Sequence, residues 1–258
     1  MKTTLLSLPK SFRLLCAIAV LAMVGACKKD SDVTPAEVIC QLKETATNGV
    51  SSAKYEYDAD GYLIRFYSAI TGFSSLVPMD VTYNAQKQFT GIRFGDGSVY
   101  RVDAKYTGST ISSFEIYQLN VLLDKATITY NAQGLISQLS YVSGDVAKFE
   151  YDANKNPTRI LETYPSTKEE YETLYTKYDD KKSADRGYKG VPLTASFTPL
   201  SVNNPLAATA IYRSEGKEVG RADATYTYTY NDKNFPTSYS FTAQGKTTTS
   251  TFTYQNCQ

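Results

Sequence analysis

The chain has no histidine and no tryptophan among its 258 residues, and only four cysteines. Without histidine it cannot assemble a Ser-His-Asp or Cys-His nucleophile system, or a zinc site that uses imidazole. It has no basic run, so nucleic-acid binding lacks its electrostatic footprint. Its longest apolar stretch near the start, residues 14–24, would span only ~16 Å as a helix, against ~30 Å of bilayer hydrocarbon. The one phosphate-loop-like fragment, Gly245-Lys246-Thr247, has Ser240 where such a loop needs its first glycine, so we read residues 243–246 as a hairpin turn. These absences lead us to expect a non-enzymatic protein with no cofactor and no metal.

What is present begins with an export signal. Lys2, Lys10 and Arg13 precede the apolar run, no acid accompanies them, and small residues follow at Gly25 and Ala26. Val24-Gly25-Ala26-Cys27 resembles the lipobox of bacterial lipoproteins. That resemblance implies cleavage before Cys27, a diacylglyceryl thioether on its sulfur and acylation of the new amino group. Two or more acyl chains anchor stably where one binds only marginally. An ordinary secretory signal, with Cys27 incidental, is the alternative. Cys16 lies inside the apolar run and is discarded with the signal. We therefore divide the chain into a signal peptide (residues 1–26), a lipidated tether (27–36) and a single all-β repeat domain (37–258). The tether's Asp30 and Asp32 resemble the acidic residues with which some Bacteroidota lipoproteins reach the cell surface. The expected location is the cell envelope, on the periplasmic face of the outer membrane or outside it.

Removing the signal's three positive residues from 27 leaves 24 Lys and Arg against 26 Asp and Glu, a formal charge of −2. Tyrosine is abundant, at 22 residues, and threonine and serine are frequent, which is a strand-forming composition. Cys40 and Cys257 remain near the two ends of the exported part. In an oxidising compartment they most simply form a disulfide, which brings the first and last strands together; two separate thiols are the alternative.

The chain repeats itself. Tyr57-Asp58-Ala59-Asp60-Gly61 returns as Tyr83-Asn84-Ala85-Gln86-Lys87, as Tyr130-Asn131-Ala132-Gln133-Gly134, as Tyr151-Asp152-Ala153-Asn154-Lys155 and as Tyr230-Asn231-Asp232-Lys233-Asn234. Weaker copies start at Tyr106, Tyr178 and Tyr254. The steps between these tyrosines are 26, 23, 24, 21, 27, 52 and 24 residues, and the 52 predicts one degenerate copy between Tyr178 and Tyr230. Polar residues precede each tyrosine by one position and apolar ones precede seven of the eight by two, so the tyrosine lies on the buried face of a strand. Asp or Asn then starts a turn. Gly61, Gly134 and Asn234 suit the left-handed position that closes it; Lys87 and Lys155 suit it less. Each unit is thus a strand, a turn and a return strand, and the whole is an antiparallel meander. Open sheets of this size curl or split, so we expect a closed barrel-like shell or a sandwich.

The copy at residues 55–63 resembles the YD repeat of the RHS family, whose shells are wrapped β-sheets. A closer likeness is to small Bacteroidota lipoproteins with YD-like repeats, which share the stretches Tyr178-Asp179-Asp180-Lys181, Asn203-Asn204-Pro205 and a late strand at residues 225–231. The resemblance implies fold and address, and brings no catalytic residue.

Residues 181–206 interrupt the repeats. They are rich in Gly, Pro, Ser and Asn and lack alternation, which marks either a binding loop or a decayed repeat. Asp58 and Asp60 before Gly61 suggest a calcium loop, but the twelfth position is Ala69 where a glutamate is needed, so a turn is the better reading. Glu169, Glu170 and Glu172 are the candidate glycosidase carboxylates, set against a solvated acidic run. Tyr62, Tyr117, Tyr164 and Tyr188 stand outside the repeat and are free to touch a ligand. Three functions follow: an envelope module that binds a glycan or an envelope protein, a purely structural surface protein, or a carboxylate-based hydrolase.

Overall fold

The computed structural model describes residues 39–68, 75–94, 97, 99–194 and 197–257. The signal peptide, Cys27 and the tether lie outside the described residues, as does Ala69. Sixteen antiparallel strands, each paired with its neighbours in sequence, close into one barrel. They are β1 (Gln41–Thr47), β2 (Val50–Tyr57), β3 (Leu63–Ser68), β4 (Val77–Tyr83), β5 (Phe89–Phe94), β6 (Tyr100–Thr107), β7 (Thr110–Gln118) and β8 (Val121–Tyr130) in the first half. The second half holds β9 (Ile136–Tyr141), β10 (Val146–Tyr151), β11 (Pro157–Tyr164), β12 (Glu169–Tyr178), β13 (Pro205–Ser214), β14 (Lys217–Tyr230), β15 (Pro236–Ala243) and β16 (Lys246–Gln255). β1 pairs with β16 to close the ring. Immediately beyond this seam Cys40 and Cys257 form a disulfide. The choice left open between shell and sandwich is decided for the barrel.

Every repeated tyrosine is the last or next-to-last residue of an even-numbered strand and points inward. Its hydroxyl donates across to a backbone carbonyl near the start of the preceding odd strand. Tyr57 reaches Leu42 O at 2.9 Å, Tyr83 reaches Leu63 O at 2.8 Å and Tyr106 reaches Phe89 O at 2.8 Å. Tyr130 reaches Ile111 O at 2.8 Å, Tyr151 reaches Ile136 O at 2.6 Å and Tyr254 reaches Pro236 O at 2.8 Å. Tyr178 donates to Pro157 O, while Tyr230 departs from the rule and donates to Asp179 Oδ2. The tyrosine therefore ties each hairpin at its open end, opposite its turn.

The residue after the tyrosine builds the next turn. Asn84 Oδ1 accepts from Gln86 N at 3.0 Å and Gln88 N at 2.9 Å; Asp58, Asn131 and Asn231 make the same pair of bonds. Lys87 (φ 58°) and Lys155 (φ 69°) do occupy the left-handed position, as Asn234 (φ 65°) does. The side-chain acceptor fixes the turn tightly enough to carry the cost of a non-glycine residue there. Between β15 and β16, Gln244 (φ 49°) and Gly245 (φ 73°) form the expected hairpin turn.

The expected degenerate copy between Tyr178 and Tyr230 is absent. β13 and β14 are an ordinary hairpin, and the surplus is residues 179–204, of which the described ones (179–194 and 197–204) leave the barrel rim and enter its lumen. The reason is space. Barrels of eight strands are filled by side chains, whereas sixteen strands enclose a channel-sized interior. Leu193 joins the buried core of Leu63, Phe66, Met79, Phe114 and Leu139, and Tyr188, Val191 and Phe197 pack against it. The ring centroids of Phe114 and Phe197 lie 5.6 Å apart. We call this segment the plug.

Candidate functional site

The outer face of the barrel is charged. Arg65 pairs with Asp80 across β3 and β4, and Arg93 with Asp103 across β5 and β6 at 2.6 Å. Glu115 on β7 stands between Lys105 (3.1 Å) and Lys125 (3.9 Å) of the flanking strands. Arg159 on β11 meets Glu150 at 2.8 Å and Glu172 at 2.5 Å, and Glu172 meets Arg213 on β13 at 2.8 Å. On β14 the outward residues are Thr225, Thr227 and Thr229, all exposed. A membrane-crossing barrel turns apolar side chains outward and polar ones inward. This barrel does the reverse, with a belt of ion pairs where hydrocarbon would have to lie.

Two of the three candidate carboxylates, Glu170 and Glu172, fall on that belt, and Glu169 lies on the inward face of β12. Glu170 and Glu172 bind Arg213, and Glu169 accepts from the Tyr212 hydroxyl at 2.8 Å. Burial raises the Glu172 carboxyl, but its bonds to Arg159 and Arg213 outweigh that and hold it below the usual range. Asp58 and Asp60 do hold a cation, which is the Lys87 ammonium at 2.8 and 3.1 Å. No group of three or more Cys, Asp or Glu placed to hold a metal occurs among the described residues. Of the four tyrosines outside the repeat, Tyr117 lies under Arg101 and donates to Glu115 at 2.9 Å, and Tyr164 packs edge-on to Tyr171. Tyr62 sits between Lys87 and Lys189 at the rim. Tyr188 alone is carried deep into the lumen, where burial pushes its hydroxyl well above its ordinary pKa.

The plug is clamped at the rim that carries the Tyr-Asx turns. Asn156 Oδ1 accepts from Val202 N at 3.1 Å and Asn203 N at 2.8 Å. Asn203 Nδ2 donates to Lys181 O at 2.8 Å. Asp179 Oδ1 accepts from Asn204 N at 3.0 Å, and Asn204 Nδ2 donates to Lys182 O at 3.0 Å. The Tyr178–Lys181 stretch and Asn203-Asn204-Pro205 are thus the two jaws of one clamp, and Tyr230 bonds to it through Asp179. From the clamp a short 3-10 turn, Ala184–Gly187, descends, with Ser183 Oγ accepting from Asp185 N at 3.2 Å. Gly187 is required because a Cβ there would lie 2.7 Å from Cys40 O. Gly190 combines φ +87° with ring carbons of Tyr62 and Tyr83 within 3 Å of where a Cβ would stand.

This descent leaves two cavities, of ≈ 380 Å³ and ≈ 230 Å³, that share Tyr55, Asp185, Tyr188 and Thr194 in their walls. The larger is walled by Tyr55, Tyr175, Tyr188, Tyr228, Tyr239 and Phe252, and neither has a basic residue in its lining. Asp185 supplies the one charge of both. Its carboxyl accepts a long bond from Ser201 N, 3.4 Å, and burial raises its pKa to about 6. A third cavity, of ≈ 210 Å³, holds Asp124, Asp145 and Glu162, and burial raises Glu162 as well. Sequence reasoning pointed to the plug and to Tyr188 but missed Asp185, since nothing local marks an acid that the fold will bury.

No protein-family model matches the chain, and no curated protein matches it either. Among solved structures it is similar to a porin-like protein from Bacteroides uniformis, at 12% identity and a TM-score of 0.54, over 84% of this chain and 95% of that one. A porin-like protein from Bacteroides vulgatus is less similar, at 11% identity and a TM-score of 0.44, over 84% of this chain and 99% of that one. The first likeness shows the fold: an all-β barrel.

Proposed function

We propose that the chain is an envelope lipoprotein, anchored through Cys27, whose barrel is a non-enzymatic binding module with the plugged lumen as its chamber. One observation carries this reading. The barrel turns ion pairs outward and keeps an aromatic, partly empty lumen inside, the polarity of a body that stands in water and encloses a ligand rather than one that spans a bilayer. The porin-like neighbour is consistent with an envelope setting. The YD-type repeat belongs to the same reading, as the element that builds the wall.

Fractionation tests the anchor and the polarity together. The wild-type chain goes to the membrane fraction and takes up labelled palmitate. Cys27→Ser loses the label and moves to the soluble fraction. A variant that stays in the membrane without label would mean that the strands themselves cross it, and the reading would be withdrawn. A screen of the full-length chain against envelope glycans, envelope extracts and small metabolites tests the chamber. A purely structural protein would be silent in all three.

A further inference from the structure

The chamber's wall has a specific chemistry. It combines aromatic rings, prolines, aliphatic side chains and small hydroxyls with a single carboxylate. In the larger cavity the centroids of Tyr228 and Tyr239 lie 5.9 Å apart, and those of Tyr239 and Phe252 5.6 Å apart. In the same cavity Tyr55 and Tyr188 lie 5.4 Å apart. Asp185 stands between the two cavities on the plug's 3-10 turn, N-terminal to Tyr188. A half-buried carboxylate with one long hydrogen bond and no basic neighbour in the cavity walls is costly to ionise unless a cation joins it.

We propose that the lumen binds a small organic cation of the alkylated ammonium class, its charge on the Asp185 carboxylate and its alkyl groups against the faces of Tyr55, Tyr188, Tyr228 and Tyr239. The proposal rests on the reading of the lumen as a binding chamber, and goes beyond it by naming the ligand's charge and substituents. Ring faces attract cations through their quadrupoles, most strongly where water is excluded. A bare metal ion fits poorly, because it needs several oxygen ligands and one carboxylate is present. A quaternary ammonium has no N–H donors to satisfy, and its alkyl groups match the rings, prolines and aliphatic side chains of the wall. The cavity of ≈ 380 Å³ is large enough for such a head group with a short chain. On β13 and β14 the inward residues Ala210, Gly220 and Ala222 are small, and Ala210 is solvent-exposed although it points into the barrel.

The charged and titratable groups that face Asp185 are the phenols of Tyr55, Tyr175, Tyr188 and Tyr254, all uncharged in the working range because burial raises each of them. Asp185 therefore titrates alone, and its pKa of about 6 means that a cation is held above that pH and released below it.

The test is calorimetric titration of the full-length chain with tetramethylammonium and choline, set beside 3,3-dimethylbutan-1-ol, the neutral isostere of choline. We expect choline to bind roughly tenfold or more tightly than the neutral alcohol at pH 7.5, and the advantage to vanish at pH 5. Asp185→Asn should remove that preference. Tyr228→Phe should keep it and Tyr228→Leu should weaken it, which separates loss of a ring from loss of fold. Equal binding of cation and alcohol, or no binding of either cation by the folded chain, overturns the proposal. A neutral glycan or lipid found in the lumen would overturn it while leaving the chamber reading intact. A lumen that takes no ligand of any class ends both.

Discussion

The hydroxyl of Tyr83 donates to the backbone carbonyl oxygen of Leu63 at 2.8 Å, and the phenol is buried enough to be pushed well above its ordinary pKa. The same bond recurs around the barrel, so the repeat encodes one hydrogen bond per hairpin as much as one turn. Removing the hydroxyl leaves the ring in place and orphans a carbonyl. Tyr83→Phe should cost about 1 kcal/mol of unfolding free energy. Tyr130→Phe should cost the same, and the double variant about twice that, since the two sites share no partner. Urea unfolding with an unchanged slope measures it. No loss in either single variant would reduce the tyrosines to packing.

Cys40 and Cys257 close the ring next to the β1–β16 seam, across a sequence separation of 217. Cross-linking so long a loop removes unfolded-state entropy worth up to ~5 kcal/mol. Cys40→Ser with Cys257→Ser should lower the unfolding midpoint strongly, and mild reduction of the wild-type chain should reproduce it. A variant as stable as wild type would show that the seam's own hydrogen bonds suffice.

Glu172 holds two arginines on the outer wall and is itself almost fully covered. Glu172→Ala would leave Arg159 and Arg213 facing each other, at a cost of about 2 kcal/mol once their partial exposure is allowed for. Its folded pKa lies below the ordinary value, so its stabilisation is present at neutral pH and is lost as the pH falls through the folded value. The gap between wild type and Glu172→Ala should therefore narrow in acid. A gap independent of pH would place the effect in packing instead.

Asp185 has the opposite sign. Its folded pKa, about 6, stands above the unfolded value of 3.8, so its neutral form suits the fold and stability falls as pH rises between those values. Asp185→Asn, which stays neutral, should equal wild type near pH 3 and exceed it at pH 7.5 by on the order of 3 kcal/mol. Thermal melts across that range report it. A constant difference at all pH values would mean that the carboxyl is not buried as described.

The local pattern determined a good deal by itself. Alternation around Tyr57, Tyr83, Tyr130 and their counterparts assigned strands and their inner face, because a side-chain period of two needs no distant information. Asp or Asn after each tyrosine assigned the turn, since the acceptor acts on N–H groups within four residues. The pairing of Cys40 with Cys257 was expected from cysteine number and the expected oxidising compartment, with two separate thiols as the alternative, and the disulfide is present. The turn residues Lys87 and Lys155 were harder to read, because the side-chain acceptor that offsets their left-handed strain is one that local propensity alone does not weigh.

Other features were decided only by the tertiary structure. Whether the meander became a sandwich or a ring depended on β1 finding β16, a pairing between the chain's extremes. The span between Tyr178 and Tyr230 looked like two periods and was one hairpin plus a plug, because a sixteen-strand ring encloses more space than its own side chains fill. Asp185 reads in sequence as one more surface acid between Ala184 and Arg186. It became the single charge of an aromatic chamber only when the clamp at Asp179, Asn203 and Asn204 turned its segment inward, since burial is a property of the closed ring and not of the residues beside it.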